Sequence, residues 1–150
     1  MGEENDRGVS WWRFKGYKQA LEDNNLEVDD ELIVSGEYRC DKAYEKVCEL
    51  LNKRKDVTAI FALSDIMAIG VMKAAIDNNL NVPKDISVIG FDGMIESQYY
   101  NPSITTVKQP KREMAEISIE LLFSLMNTDM ENKHIILDTE LVKRDSCFKI

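Results

Sequence analysis

Four short stretches carry residue types able to hold a small polar molecule: Ser35-Gly36-Glu37-Tyr38, Ser64-Asp65, Asp92-Gly93 and Gln109. A carboxylate accepts from two hydroxyls at once, an arginine fork donates to several oxygens, and an aromatic ring covers an apolar face. Each residue also has a plain reading. Ser64-Asp65 before an apolar helix is a helix cap, and Asp92-Gly93 alone is a turn. Arg13 is a solvated helix charge, and Tyr38 is a core ring. The four stretches share one property, however. Each closes an apolar run, and parallel α/β sheets bind ligands beyond the carboxyl ends of their strands. A rim of hydroxyls, carboxylates and one ring at that edge suits a small, sugar-like ligand.

The motifs of most enzymatic chemistry are missing. His134 is the single histidine, so a histidine-based triad or an HExxH metal site has no material. No GxxxxGK[ST], GxGxxG or GxSxG is present, and Gly90-Phe91-Asp92-Gly93 is a strand followed by a turn. Asp65 and Asp92 around Mg²⁺ are the one enzymatic arrangement left to consider. Three cysteines, Cys40, Cys48 and Cys147, lack CxxC spacing. Cys40 and Cys48 on one helix would stand about 12 Å apart, too far for a disulfide. A reduced, cytoplasmic protein is expected, with no metal or cofactor.

The 150 residues carry 19 Lys and Arg against 27 Asp and Glu, a formal charge of −8. That excess of acid argues against a grip on DNA by this chain, since duplex binding rests on cations that neutralise phosphates. No run approaches the roughly 20 apolar residues of a membrane span. Met1-Gly2-Glu3-Glu4-Asn5-Asp6 has neither the basic start nor the apolar stretch of a secretory signal.

Strands and helices must alternate to place those stretches at one edge, and the periodicities say that they do. Ser10 is positioned to cap a helix through Trp11, Phe14, Tyr17, Ala20 and Leu21 that stops at Asn24-Asn25. Leu32-Ile33-Val34 reads as a short strand. A helix follows with Ala43, Tyr44, Val47, Cys48, Leu50 and Leu51 inward, and Val57 to Leu63 reads as a strand covered on both faces. Ser64-Asp65 opens a helix through Ile76 that closes at Asn78-Asn79. Ile86 to Phe91 and Thr105 to Gln109 are strands, Met114 to Leu125 a helix, and Ile135 to Val142 a strand or hairpin. The alternation predicts a single α/β domain: a three-layer sandwich on a mostly parallel sheet, lacking its opening strand.

Five stretches in order are more specific: RFKGYKQAL (13–21), AIFALSDIMAIGVMKAA (59–75), VPKDISVIGFDG (82–93), YYNPSITTVKQP (99–110) and ELVKRDS (140–146). Together they resemble the effector-binding domain of the LacI/GalR family of transcriptional regulators, a periplasmic-binding-protein-like (type I) fold. The resemblance implies a small effector, a carbohydrate or similar polar molecule, held in a cleft between two lobes. Arg13 then matches the effector-binding arginine of the RxxG[FYW] helix and Tyr38 the aromatic that stacks on the ligand. Asp92 matches the carboxylate of GFD, and Gln109 the glutamine of the crossover to the other lobe. Ser64 stands where the family often has Asn, and Arg7 matches a further polar contact. The implied layout is mainly a C-terminal lobe over about 10–109, then a return segment over 110–142 toward a missing N-terminal lobe. The DNA-binding headpiece is also missing, so operator DNA would be reached only through it. A homodimer is expected, with the helix from Ile66 to Asn78, the loop from Met94 to Tyr100 and unpaired strand edges as its contacts. A sugar-binding component of an uptake system, with the same fold and contact types, is the main alternative.

Overall fold

The computed structural model describes residues 8–127 and 134–148. Its order is α1 (Val9–Asp23), α2 (Cys40–Lys53), β1 (Ala59–Phe61), α3 (Asp65–Asp77), β2 (Ser87–Asp92), β3 (Thr105–Lys108), α4 (Lys111–Asn127) and β4 (Glu140–Val142). The four strands form one sheet in the order β1-β2-β3-β4. β1 and β3 run parallel to β2, and β4 is antiparallel to β3. The α/β class and the mostly parallel sheet are as the alternation predicts.

The core lies where α2 and α3 meet and cover the sheet. α2 is amphipathic, with Ala43, Val47, Leu50 and Leu51 buried on one stripe. α3 is apolar nearly all round, as suits an interior helix, and buries Met67, Ala68, Val71, Met72, Ala74 and Ala75. Beneath them lie Ile86 and Val88 near and on β2, with Ile104 ahead of β3. Ser64 is the N-cap of α3, its Oγ accepting from the Met67 N–H, and Asn78 with Asn79 (φ 60°) ends the helix. Cys40 and Cys48 both lie on α2 and are free thiols, as is Cys147.

Tyr44 of α2 donates its hydroxyl to Asp77 of α3 at 2.9 Å. That bond to Asp77, with the Cys48 thiol close by, pushes the phenol up to about 12. A raised value in an acid favours the protonated form in the folded state. The stabilisation is therefore full below the ordinary tyrosine value near 10 and is lost as pH rises through about 12. In an alkaline titration followed by ultraviolet absorbance, one of the five tyrosines should ionise late, and Tyr44→Phe should remove that late step. Absence of a late step in the wild-type chain would show that the bond does not persist in solution.

Three local expectations differ from the structure. Leu32-Ile33-Val34 is not a strand: Asp30–Leu32 form a short 3-10 turn and the chain then runs irregularly. A strand exists only through hydrogen bonds to a neighbour. Among the described residues none pairs with this segment, β1 being the edge of the sheet that they form. Leu32–Val34 and β1 line an open apolar groove together with Phe14, Tyr17, Val47 and Leu50, with a volume of about 140 Å³. The C-terminal strand is also shorter than expected. Only Glu140–Val142 pairs with β3, and residues 134–139 form no regular element. Ser10, finally, is not the cap of α1; Gly8 holds that position and Ser10 sits inside the first turn.

Candidate ligand-binding site

The site is built outward from the end of β2. Asp92 is its last strand residue and has φ 110°, and Gly93 follows at φ 65°. Two successive positive φ values turn the chain sharply off the sheet. A Cβ on Gly93 would also press on the Lys108 backbone of the neighbouring strand, so glycine is required there twice over. The turn leaves the Asp92 side chain at the carboxyl edge of the sheet. Asp92 Oδ1 accepts from Arg13 Nη2 at 2.9 Å and from Gln109 Nε2 at 2.7 Å. Both donors take the same oxygen, and among the described residues none donates to Oδ2.

Arg13 reaches this point from α1. Its Nη1 donates to the Leu63 carbonyl at the end of β1's run at 2.5 Å, and its guanidinium lies over the Phe91 ring, 3.9 Å from the centroid. The side chain is only 9% exposed, against 24% for Asp92. Arg13 thus spans the ends of two strands and is neutralised by Asp92 in place. Among the described residues, the set leaves a ligand one carboxylate oxygen with open acceptor capacity and the carbonyl end of the Gln109 amide.

Tyr38 enters from the turn before α2. Glu37 and Tyr38 take φ 51° and 54° in succession, which brings the ring back toward α1. The phenol oxygen lies 3.0 Å from Ser10 Oγ, and the residue is 42% exposed. Ser10 precedes Arg13 by three positions on α1, so the two share a helix face. One face of α1 therefore links the aromatic to the Arg13–Asp92–Gln109 cluster.

Arg13, Asp92 and Gln109 are thus in direct contact, and Tyr38 joins them through Ser10. Ser64 does not join: it is buried, and its hydroxyl is used by the Met67 N–H. Asp65 does not cap its helix either, nor does it face Asp92. Its carboxylate accepts from the Thr106 hydroxyl and the Met94 N–H. Arg7 lies outside the described residues. Ser10 and Phe91 were missed as members of the site. The three-residue step from Ser10 to Arg13 was the available signal for the first; Phe91 read simply as a strand residue.

Comparison with known proteins follows the same lines. A profile of the periplasmic binding protein-like domain family matches residues 1–147. The chain is 73% identical over its whole length to the HTH-type transcriptional regulator MalR of Clostridium butyricum, and covers 45% of that protein. It is 35% identical over 141 residues, 93% of its length, to the HTH-type transcriptional repressor PurR of Serratia proteamaculans, covering 41% of it. The chain therefore spans less than half the length of these curated relatives. Among solved structures, a LacI family transcriptional regulator from Enterococcus faecium with bound ribose superposes with a TM-score of 0.82 at 28% identity, covering 90% of this chain and 50% of that one.

Proposed function

The chain belongs to the periplasmic binding protein-like domain family, in the form carried by LacI/GalR-type transcriptional regulators, and from that premise we propose that it is the effector-sensing part of such a regulator. It works by binding and not by catalysis. Arg13, Tyr38, Asp92 and Gln109, with Ser10, line one wall of the effector cleft. The observation that carries this reading is the shared Oδ1 of Asp92. With Arg13 and Gln109 on one oxygen, the carboxylate keeps its geometry while Oδ2 stays open to ligand hydroxyls.

The same pairing bears on ligand class. Arg13 is already neutralised, so an anionic ligand would meet a carboxylate with no spare cation from the described members of the site. The effector is therefore a neutral polyol or sugar, in keeping with the ribose held by the Enterococcus faecium relative. The uptake-component reading is not favoured, because the relatives are regulators. Regulation of transcription places the protein in the cytoplasm, and contact with operator DNA belongs to a headpiece outside these residues. Residues 10–109 act as the C-terminal lobe and 110–142 as a segment returning toward a second lobe; no described residue of α4 is buried.

The test is a chimaera in which these 150 residues replace the aligned stretch of the Clostridium butyricum regulator. Calorimetry across neutral mono- and disaccharides, ribose included, and their phosphorylated forms should find a neutral sugar that binds. Binding of phosphorylated sugars alone would refute the ligand class, and no binding by any sugar would refute the sensing role.

Self-association follows from the surface. Ile95, Tyr99 and Tyr100 are exposed on the loop after β2, Ile76 is exposed on α3, and among the described residues β1 presents an unpaired edge beside the apolar groove. A two-fold dimer, the commonest closed assembly, covers such surface. Light scattering at micromolar concentration should give twice the 17.2 kDa chain mass. A sharp monomeric mass would show that the chain tolerates these surfaces uncovered.

A further inference from the structure

Asp65 is fully buried, yet it takes no part in the cluster around Asp92. Both of its oxygens are used. Oδ1 accepts from the Thr106 hydroxyl at 2.5 Å, and Oδ2 accepts from the Met94 N–H at 2.6 Å. Thr106, itself fully buried, accepts in turn from the Gly93 N–H at 3.2 Å. The two backbone N–H groups immediately after Asp92 are therefore both held by one side-chain pair. Residue 90 must be glycine for that pair to exist: a Cβ there would overlap Asp65 Oδ1. Gly90 is also the register partner of Thr106, so the gap opens directly beside the hydroxyl that fills it.

Asp92 needs such support. A φ of 110° is unusual for any residue but glycine and persists only where the surroundings hold it. We propose that Asp65, acting through Thr106, Gly93 and Met94, is the positioning residue that aims the Asp92 carboxylate at Arg13 and Gln109. It touches no ligand. It fixes the two residues that follow Asp92, and so fixes which of its oxygens meets the Arg13 guanidinium and which stays open. This rests on the reading of Asp92 as the ligand-facing carboxylate.

The test needs no ligand. In the ¹⁵N-labelled chain, hydrogen exchange is measured at the Arg13 guanidinium and at the Met94 amide. Asp65→Asn places an N–H₂ group where an acceptor is needed, and Thr106→Val removes the bridging hydroxyl. Both should speed exchange at Arg13 and at Met94 by about tenfold or more, as expected for loss of a buried bond. Thr106→Ser keeps the hydroxyl and should restore slow exchange. Ile86→Val, a core change just ahead of β2 and so at the opposite end of that strand from the turn, lowers stability and should leave Arg13 unchanged. Wild-type exchange at Arg13 in both Asp65→Asn and Thr106→Val overturns the proposal, even if Met94 is released. Equal acceleration by Ile86→Val overturns it too, because the effect would then be general loss of stability. If Asp65→Asn fails to fold, the Thr106 pair carries the comparison. Failure of every sugar to bind would refute the sensing role and leave this result standing.

Discussion

Gly70→Ala is expected to destabilise the chain by about 3 kcal/mol or more, through overpacking where no side chain can yield. Gly70 lies on α3 at the point where α2 begins. An added Cβ would overlap the Cys40 carbonyl oxygen and crowd the Tyr44 backbone nitrogen. Both are backbone atoms of α2, so relief requires the helices to part. The contact between these helices holds Ala43, Val47, Leu51, Val71 and Met72 out of water, so separation exposes the centre of the core. Urea unfolding should show a large fall in midpoint with an unchanged slope. Gly16→Ala is the matched control. Gly16 sits in α1 with open space around it, and alanine there should add up to about 1 kcal/mol through helix propensity. Equal stability of the Gly70→Ala and Gly16→Ala chains would mean that α2 and α3 do not cross at Gly70.

The second large effect separates the two roles within the site. Asp92→Asn keeps one oxygen to accept from Arg13 and Gln109, but puts a donor where Oδ2 stood. The fold should survive, while sugar affinity of the full-length chimaera falls by about 1–3 kcal/mol. Arg13→Ala acts differently. It leaves the Leu63 carbonyl without its donor, uncovers the Phe91 ring and leaves the Asp92 carboxylate with Gln109 alone. Breaking a largely buried pair in this way should lower stability by about 2–3 kcal/mol, reduced from the fully buried case by the partial exposure of Asp92. α1 should loosen as well, because none of its residues is buried and Arg13, Ser10 and the Tyr17–Phe61 ring contact hold it to the domain. Calorimetry and thermal melts on the same samples read both quantities. Unchanged affinity in both variants would remove Asp92 and Arg13 from the cleft.

Much of this was legible in the residues. The apolar stripe of α2, the continuous apolarity of α3, the Ser64 cap and the Asn78-Asn79 stop are signals carried within a turn or two of chain, and local hydrogen bonding suffices to realise them. The β2 and β3 runs were legible for the same reason, their β-branched residues being bounded by Pro, Asp and Gly. The order of the five motif stretches carried the family as well. Tertiary structure alone decided the rest, because each remaining feature depends on a partner distant in sequence. Leu32-Ile33-Val34 has strand composition and is not a strand, since a strand is made by its neighbour's hydrogen bonds and among the described residues β1 is the sheet edge. Ser10 reads as a cap and instead meets Tyr38, 28 positions away. Asp65 reads as a cap or a metal ligand and instead binds Thr106, 41 positions away, through a gap that exists because residue 90 lacks a Cβ. Arg13 by itself reads as a solvated charge and only the family resemblance marks it as a binding residue; in the structure it lies on Phe91, bonded to Asp92 79 positions away. Short-range chemistry names the residue types able to act, but which atoms meet is set by packing, since a side chain's partner is whatever the folded sheet brings within 3 Å of it.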